Sequence, residues 1–319
     1  MTQVSGQNEK FLRKEFVVGE VFKIMEPQLP FLEMLPKVKA DARAVSYKQE
    51  TVSASSDTKK KKPRTRTPSA AWTYLDITPM EMKSGLLNKE GFAIRIDEDA
   101  IDFTDGVDEI RRAYNKLAFW LAEAHNTAVG TTIKTNATTP TWTPTAVWDN
   151  ASATPVDDLI KLEEQMEREG YPYRMTDIFV HKTNWYELKG YLTSADIDGT
   201  KQKEIYGTPT ISGDSINIPV VGSSVHKLLS GIDEGYVLAL DTNNPAGTIY
   251  YNNSPRHSTP KITYPTVVDG RKTTRTVPNF GFNFNQYTDN ETHDIVMQFW
   301  FDQVTVVKEP YASLYDNGI

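Results

Sequence analysis

The sequence predicts an α+β chain in which strands are segregated from a few helices. Three observations predict it. Residues 44–77 read as two strand-like arms around a long polar tip. Residues 105–128 carry apolar side chains at sustained helical spacing. The last third of the 319 residues is a series of short strand-like runs.

In chain order, residues 8–35 are rich in apolar side chains, among them Phe11, Phe16, Phe22 and Phe31. Pro27 and Pro30 interrupt the run and Pro36 ends it. Proline blocks helix continuation and favours extended or turn geometry. The expectation is an N-terminal arm, residues 1–43, with at most one short helix before Pro27. An extended β-hairpin loop follows, residues 44–77. In its first arm Val45 and Tyr47 alternate with Ser46 and Lys48; in its second Trp72 and Tyr74 alternate with Ala71, Thr73 and Leu75. Alternation with period two puts one apolar row on one face of a ribbon. The tip, residues 53–69, holds no bulky apolar side chain but contains Lys59, Lys60, Lys61, Lys62, Arg64 and Arg66. A two-stranded ribbon alone in water is marginal, so its apolar row calls for cover from a partner.

Residues 92–96 read as a strand, and a helix starts near Asp105. Val107, Ile110, Tyr114, Leu117, Ala118, Leu121 and His125 form its stripe, Asp108 and Glu109 sit in its first turn, and Gly130 follows its end. This is a rod of roughly 35 Å at 1.5 Å per residue. Thr154 as N-cap, Pro155 in the first helical position and Asp157 completing a capping box announce a second helix, ended by Gly170. Asp157/Lys161 and Glu164/Arg168 are favourable i,i+4 pairs on it. A buried strand at 178–180 and a short helix capped by Thr183 come next. Expected strands then fall at 218–221, 236–240, 248–251, 261–264, 281–285 and 295–307. In the last of these Ile295, Met297, Phe299 and Phe301 share one face, and Val296, Gln298 and Trp300 the other.

Composition narrows the function. The chain has no cysteine, which removes disulfides, thiolate catalysis and cysteine metal sites. No run approaches the roughly 20 apolar residues of a spanning helix. The polar start, residues 1–10, does not read as a secretory signal, so folding in a cytoplasm is expected. Residues 59–66 carry six cations and no acid; setting them aside from the formal charge of −7 leaves about −13 for the rest. An acidic body with one basic tip is unlike the broad basic surface of a nucleic-acid binder. It suits a shell whose bulk surface does not stick to DNA.

The order of elements carries a family resemblance. An arm ends in PFLEMLPKVKADARAVSYKQE, and a long hairpin loop follows. GFAIRIDEDAIDFTDGVDEIRRAYNKLAFWLAEAHNTAVG leads from strand to long helix. LIKLEEQMEREGYPYRMTDIFVHKTNWYELKG gives helix, strand and helix; INIPVVGSS and VTVVKEPYASLY close the series. From Phe11 to Tyr315 this resembles the major capsid protein of tailed double-stranded DNA viruses, a fold shared with herpesvirus shells. The resemblance implies an extended loop lying over a neighbouring subunit. It implies a peripheral domain at 78–150 with spine helix 105–128, an axial domain at 151–280 whose loops meet at fivefold and sixfold axes, and C-terminal strands at 281–319 returning to the peripheral domain. Some members cross-link lysine to asparagine, and nothing in the residues assigns such a pair. The stretch before Phe11 is too short for an N-terminal scaffold segment, which implies a separate scaffold protein.

Catalytic and ligand readings are weaker than bland ones. Asp97, Asp99, Asp102, Asp105, Asp108 and Glu109 miss the EF-hand spacing, and acids at a helix start are ordinary dipole chemistry. His125 continues a helical stripe and reads as a packed, hydrogen-bonded side chain; His181 belongs to no nucleophile or metal motif. Gly222-Ser223-Ser224 fails the G-x-S-x-G pattern. The basic tip lacks interleaved aromatics, so docking on an acidic neighbour fits it better than nucleic acid. The expectation is therefore a non-enzymatic capsid protein without cofactor or metal, assembled in the host cytoplasm and located in the virion. Its partners are itself in pentamers and hexamers, separate scaffold, portal and decoration proteins, and packaged DNA bound non-specifically, with no membrane. Expected inter-subunit contacts are Phe11, Phe16, Phe22, Tyr47, Trp72, Tyr74 and the six tip cations. The rival readings are a tail-associated or minor virion protein and an α+β hydrolase using paired carboxylates.

Overall fold

The structure is a computed structural model that describes residues 14–50, 80–97, 106–139, 142–144, 146–150, 152–167, 173–193, 209–268, 271–289 and 294–319. The chain forms two compact units. Unit one takes Met1–Val45, Leu86–Val129 and Ile249–Val304; unit two takes Ser46–Gly85, Gly130–Thr248 and Thr305–Ile319.

The arm is more helical than its prolines suggested. Helix α1 spans Lys14–Met25, a 3-10 turn covers Glu26–Gln28, and a second helix, α2, covers Pro30–Met34. Pro30 starts α2 instead of forbidding it, because a first-turn proline lacks only an N–H that has no helical partner anyway. Strands β1 (Lys37–Lys39), β2 (Ala44–Gln49), β3 (Glu81–Leu86) and β4 (Asn88–Ile96) follow. Strand β2 pairs with β3, beyond the boundary at residue 77 set by the sequence. The expected second arm around Trp72 and Tyr74 lies outside the described residues.

Helix α3 covers Gly106–Asn136, about two turns longer than expected and about 46 Å in length. It runs through Gly130, where a Cβ would lie 2.5 Å from the Gly231 carbonyl oxygen. Gly130 thus serves a close backbone approach within the helix and not its termination.

Helix α4 (Pro155–Met166) has the predicted proline start, yet Thr154 makes no side-chain capping bond. Its backbone carbonyl receives the Asp158 N–H at 3.0 Å. Lys161 pairs with Glu164 at 2.8 Å. Gly170 and Arg168 are outside the described residues. Strand β5 (Asp177–His181) runs directly into α5 (Lys182–Thr193), so Thr183 sits inside the helix and not at its cap.

The remaining strands are β6 (Thr210–Ser212), β7 (Ser215–Ile218), β8 (Ser223–Leu228), β9 (Tyr236–Leu240), β10 (Gly247–Tyr251), β11 (Lys261–Val268), β12 (Arg271–Pro278), β13 (Phe282–Thr288), β14 (Ile295–Val307) and β15 (Ser313–Asn317). The 236–240 and 295–307 boundaries match expectation. The expected strand at 218–221 instead ends at Ile218.

In unit one the sheet order is β1-β10-β14-β13, with β4 also paired to β14. Phe92 stands opposite Phe299 across β4–β14, and Phe284 opposite the same residue across β13–β14. Gly91 is required here, because a Cβ would lie 1.9 Å from the Phe299 carbonyl oxygen. Met297, Phe299 and Phe301 are buried and Ile295 on their face is half-buried; on the other face Gln298 and Trp300 are half-exposed, but Val296 is buried too. Phe282 stacks 6.0 Å from Phe299 and 5.4 Å from Phe301, and Phe284 lies 4.7 Å from Phe299. Each such aromatic contributes about 1.5–3 kcal/mol by area. Helix α1 covers the β11–β12 hairpin with Val17, Val21, Phe22 and Met25 buried. Gly19 allows that approach, since a Cβ would sit 2.8 Å from the Thr263 oxygen.

In unit two the sheet order is β15-β9-β5-β8-β7-β6. Strands β5 and β8 are parallel and the other pairings antiparallel. Ile178, Phe179 and Val180 are fully buried at its centre. Helix α5 packs on β5 and β8, and α4 on β15.

Candidate functional site

The predicted contact residues divide by where the structure puts them. Tyr47 and Val45 are half-buried on β2, and Ala44, Ser46 and Lys48 on its other face are exposed. The period-two row is therefore present, and burial raises the Tyr47 phenol above its ordinary range. Phe16 is half-buried on α1. Phe22 needs correction. It is 3% exposed, with its ring 5.8 Å from Phe282 and 6.4 Å from Tyr264, so its surface is already occupied inside unit one. Phe11, Trp72, Tyr74, Lys59, Lys60, Lys61, Lys62, Arg64 and Arg66 lie outside the described residues.

Sequence reasoning missed the return strand of the ribbon. Met80, Met82 and Leu86 recur on one face in and beside β3 and are 48%, 66% and 60% exposed. Three large apolar side chains on one strand face are a patch that calls for a partner, not scattered surface noise. The signal was the even spacing of these three residues, hidden because the loop was closed at 77.

The root of the ribbon is tied into unit two. Gln49 is buried and donates to Asn136 Oδ1 at 3.1 Å, and Asn136 donates to the Thr132 carbonyl at 2.9 Å. The Glu50 N–H donates to the Lys308 carbonyl at 2.8 Å. The buried Tyr173 hydroxyl lies 3.4 Å from Glu50 Oε2 and 3.1 Å from Glu309 Oε2. Burial, then the two carboxylates, push that phenol far above its ordinary range.

Two of the described histidines sit in packed surroundings. His125 is buried, 4.9 Å from the Phe301 ring, and burial lowers its imidazole to about 4. A hydrogen bond to Gln303 opposes that shift, while Nε2 has no hydrogen-bond partner among the described residues, so the ring is packed as expected but only half hydrogen-bonded. His226 Nε2 lies 2.8 Å from Asp177 Oδ1, and its ring stacks 5.2 Å from Phe179. Burial alone would raise the Asp177 carboxyl, but hydrogen bonds with His226, Thr242 and Thr176 outweigh it and hold the group low. The pair staples the parallel β5–β8 pairing, and the Thr242 hydroxyl donates to Asp177 at 2.9 Å. Among the described residues no group of three or more His, Asp or Glu side chains could hold a metal ion, and no helix is long and apolar enough to cross a membrane.

Known proteins place this geometry. No curated protein matches the chain. The virus-like particle from Pyrococcus furiosus is similar in structure, at 10% identity and TM-score 0.57 over 94% of this chain and 98% of that one. The holo-SrpI encapsulin complex from Synechococcus elongatus PCC 7942 is similar at 12% identity and TM-score 0.55, over 93% and 89%. The capsid of Myoviridae phage XM1 is similar at 12% identity and TM-score 0.51, over 91% and 92%. At these identities the likeness establishes the fold. A family model described as phage capsid protein matches residues 83–311, from β3 through the spine helix and both sheets to the turn before β15. A match over most of the chain, on a fold shared with assembled shells, makes the chain a member of the phage capsid protein family and a shell component of the virion.

Proposed function

We propose that this capsid protein is the major head subunit of a tailed virus and that many copies close into an icosahedral shell around double-stranded DNA. The observation that carries the reading is the family match over residues 83–311. The exposed row of Met80, Met82 and Leu86 supports it, since a ribbon of this kind gains stability from cover by a neighbour. The role is structural and non-catalytic, and its mechanism is buried area. Residues 44–77, extended by β3, form the loop that reaches over an adjacent subunit in a pentamer or hexamer. Residues 78–150 with the C-terminal strands form the peripheral domain, and residues 151–280 the axial domain. Tyr47, Trp72 and Tyr74 are the loop's anchors, and the cations of residues 59–66 dock on the acidic surface of a neighbour. Scaffold, portal and decoration proteins are separate chains, and DNA is held without sequence preference.

The test is electron microscopy with size-exclusion chromatography of the purified protein, alone and co-expressed with other virion genes, at rising concentration. Closed shells or rings of five and six are expected. Persistent monomer under both conditions would sink the reading. Trp72→Ala removes one aromatic worth about 1.5–3 kcal/mol, which should raise the concentration needed for assembly about 10- to 100-fold while the monomer stays folded. Assembly of Trp72→Ala at wild-type concentration would remove that anchor from the account.

A further inference from the structure

At Glu50 the chain leaves β2 for the extended loop, and its carboxyl shares a single phenol with Glu309. A tyrosine hydroxyl carries one proton. With both carboxylates ionised, Tyr173 can donate to only one of them, and the other faces an oxygen lone pair. Glu309, at 3.1 Å, is the closer acceptor, which leaves Glu50, at 3.4 Å, as the group without a proton to receive. A proton on Glu50 completes the set. The Glu50 O–H donates to Tyr173 Oη, Tyr173 donates to Glu309, and one chain of hydrogen bonds joins three strands of sequence far apart. Ionised, the two carboxylates repel across the phenol.

We infer that Glu50, Tyr173 and Glu309 form a proton-operated latch at the root of the extended loop, closed when Glu50 is protonated and loosened when it ionises. Each member of the trio has a cation close by in sequence. Lys48, next on β2, is exposed; Arg174, beside Tyr173, points to Glu167 at 3.8 Å; Lys308 precedes Glu309 on the chain. The influences on the Glu50 carboxyl are burial, which raises it, the Tyr173 hydrogen bond, which lowers it, and the Glu309 charge, which raises it again; the net direction is upward. A carboxyl raised in the folded state binds its proton more tightly there than in the unfolded chain. The grip on the loop root is therefore full at low pH and is lost as pH rises above the ordinary value of 4.5.

The latch belongs to the single chain, and only its consequence for shell closure rests on the assembly reading. Amide hydrogen exchange at Gln49, Glu50 and Lys308 between pH 4.5 and 8, corrected for intrinsic rates, tests it. Wild-type protection should fall as pH rises, by about tenfold for each pKa unit that folding adds to Glu50. Glu50→Gln, whose amide donates permanently to the phenol oxygen, should give high, flat protection. Tyr173→Phe should give low, flat protection, with circular dichroism confirming that both variants fold. A Glu50→Gln profile that slopes like wild type, or a flat wild type, would overturn the latch. Normal shells with a flat profile would refute the latch alone; a working latch in a chain that never assembles would refute the assembly reading alone.

Discussion

At the scale of single residues, burial decided what the sequence left open. The alternation at Val45 and Tyr47 was readable because neighbours two apart on a strand share a face whatever the tertiary context. Phe22 was misjudged for the opposite reason. Its covering partners, Tyr264 and Phe282, come from the far end of the chain, and no local count of bulk can see them. Asp316 was equally invisible. It is 2% exposed on β15, and its Oδ2 has no hydrogen-bond partner among the described residues. Burial, with the Asp158 charge adding and the Asn317 N–H opposing, lifts its carboxyl to about 6. The folded state then holds a proton that the unfolded state releases near 3.8, so stability falls as pH rises through that window. Asp316→Asn should raise the melting temperature by about 2–4 °C at pH 7.5 and leave it unchanged at pH 4.5. Scanning calorimetry at the two pH values checks this; an equal shift at both would show that packing, not titration, is at work.

At the scale of elements, long periodic segments were legible and punctuated ones were not. The stripe from Val107 to His125 announced α3, but Gly130 was read as a stop. Within a helix, alanine is ordinarily better than glycine by about 1 kcal/mol. Here that preference reverses, because the added Cβ would lie 2.5 Å from the Gly231 oxygen and backbone must move. Gly130→Ala should cost about 1–3 kcal/mol, the range for overpacking. Urea unfolding of the variant would show it, and a stabilised variant would contradict the observed approach. The hairpin β11–β12 was half seen, since only 261–264 alternates with apolar residues. Strand β12 carries Arg271, Lys272 and Arg275 among threonines, and its backbone pairing with β11, not an apolar pattern, makes it a strand. The stronger clue was the Asp269-Gly270 pair between the two arms, a hairpin-turn dipeptide.

At the scale of the molecule, the family was legible in the order of elements along the chain, since no single motif carries it. The contact surface was less so. The exposed apolar residues Met80, Met82 and Leu86 lay past the expected boundary. The charge distribution makes its own prediction. If the six cations of residues 59–66 meet the acidic body of a neighbour, reversing their charge should slow assembly most at low salt, where screening reaches only beyond about 10 Å at 0.1 M. Light scattering across ionic strengths measures it, and identical rates for wild type and the reversed tip would remove the electrostatic role.

Strand β14 pairs with β4, β10 and β13, so the sheet of unit one is built around residues 295–307. A ribosome makes this hub late. Until it emerges, β4 has been waiting for its partner through about two hundred residues of synthesis, some 10–40 s at ordinary translation rates. Helix α3 can form meanwhile from local contacts, but the sheet of unit one cannot close. The fold thus carries a clock: the sheet of unit one has no finished face until residues 295–307 have been made.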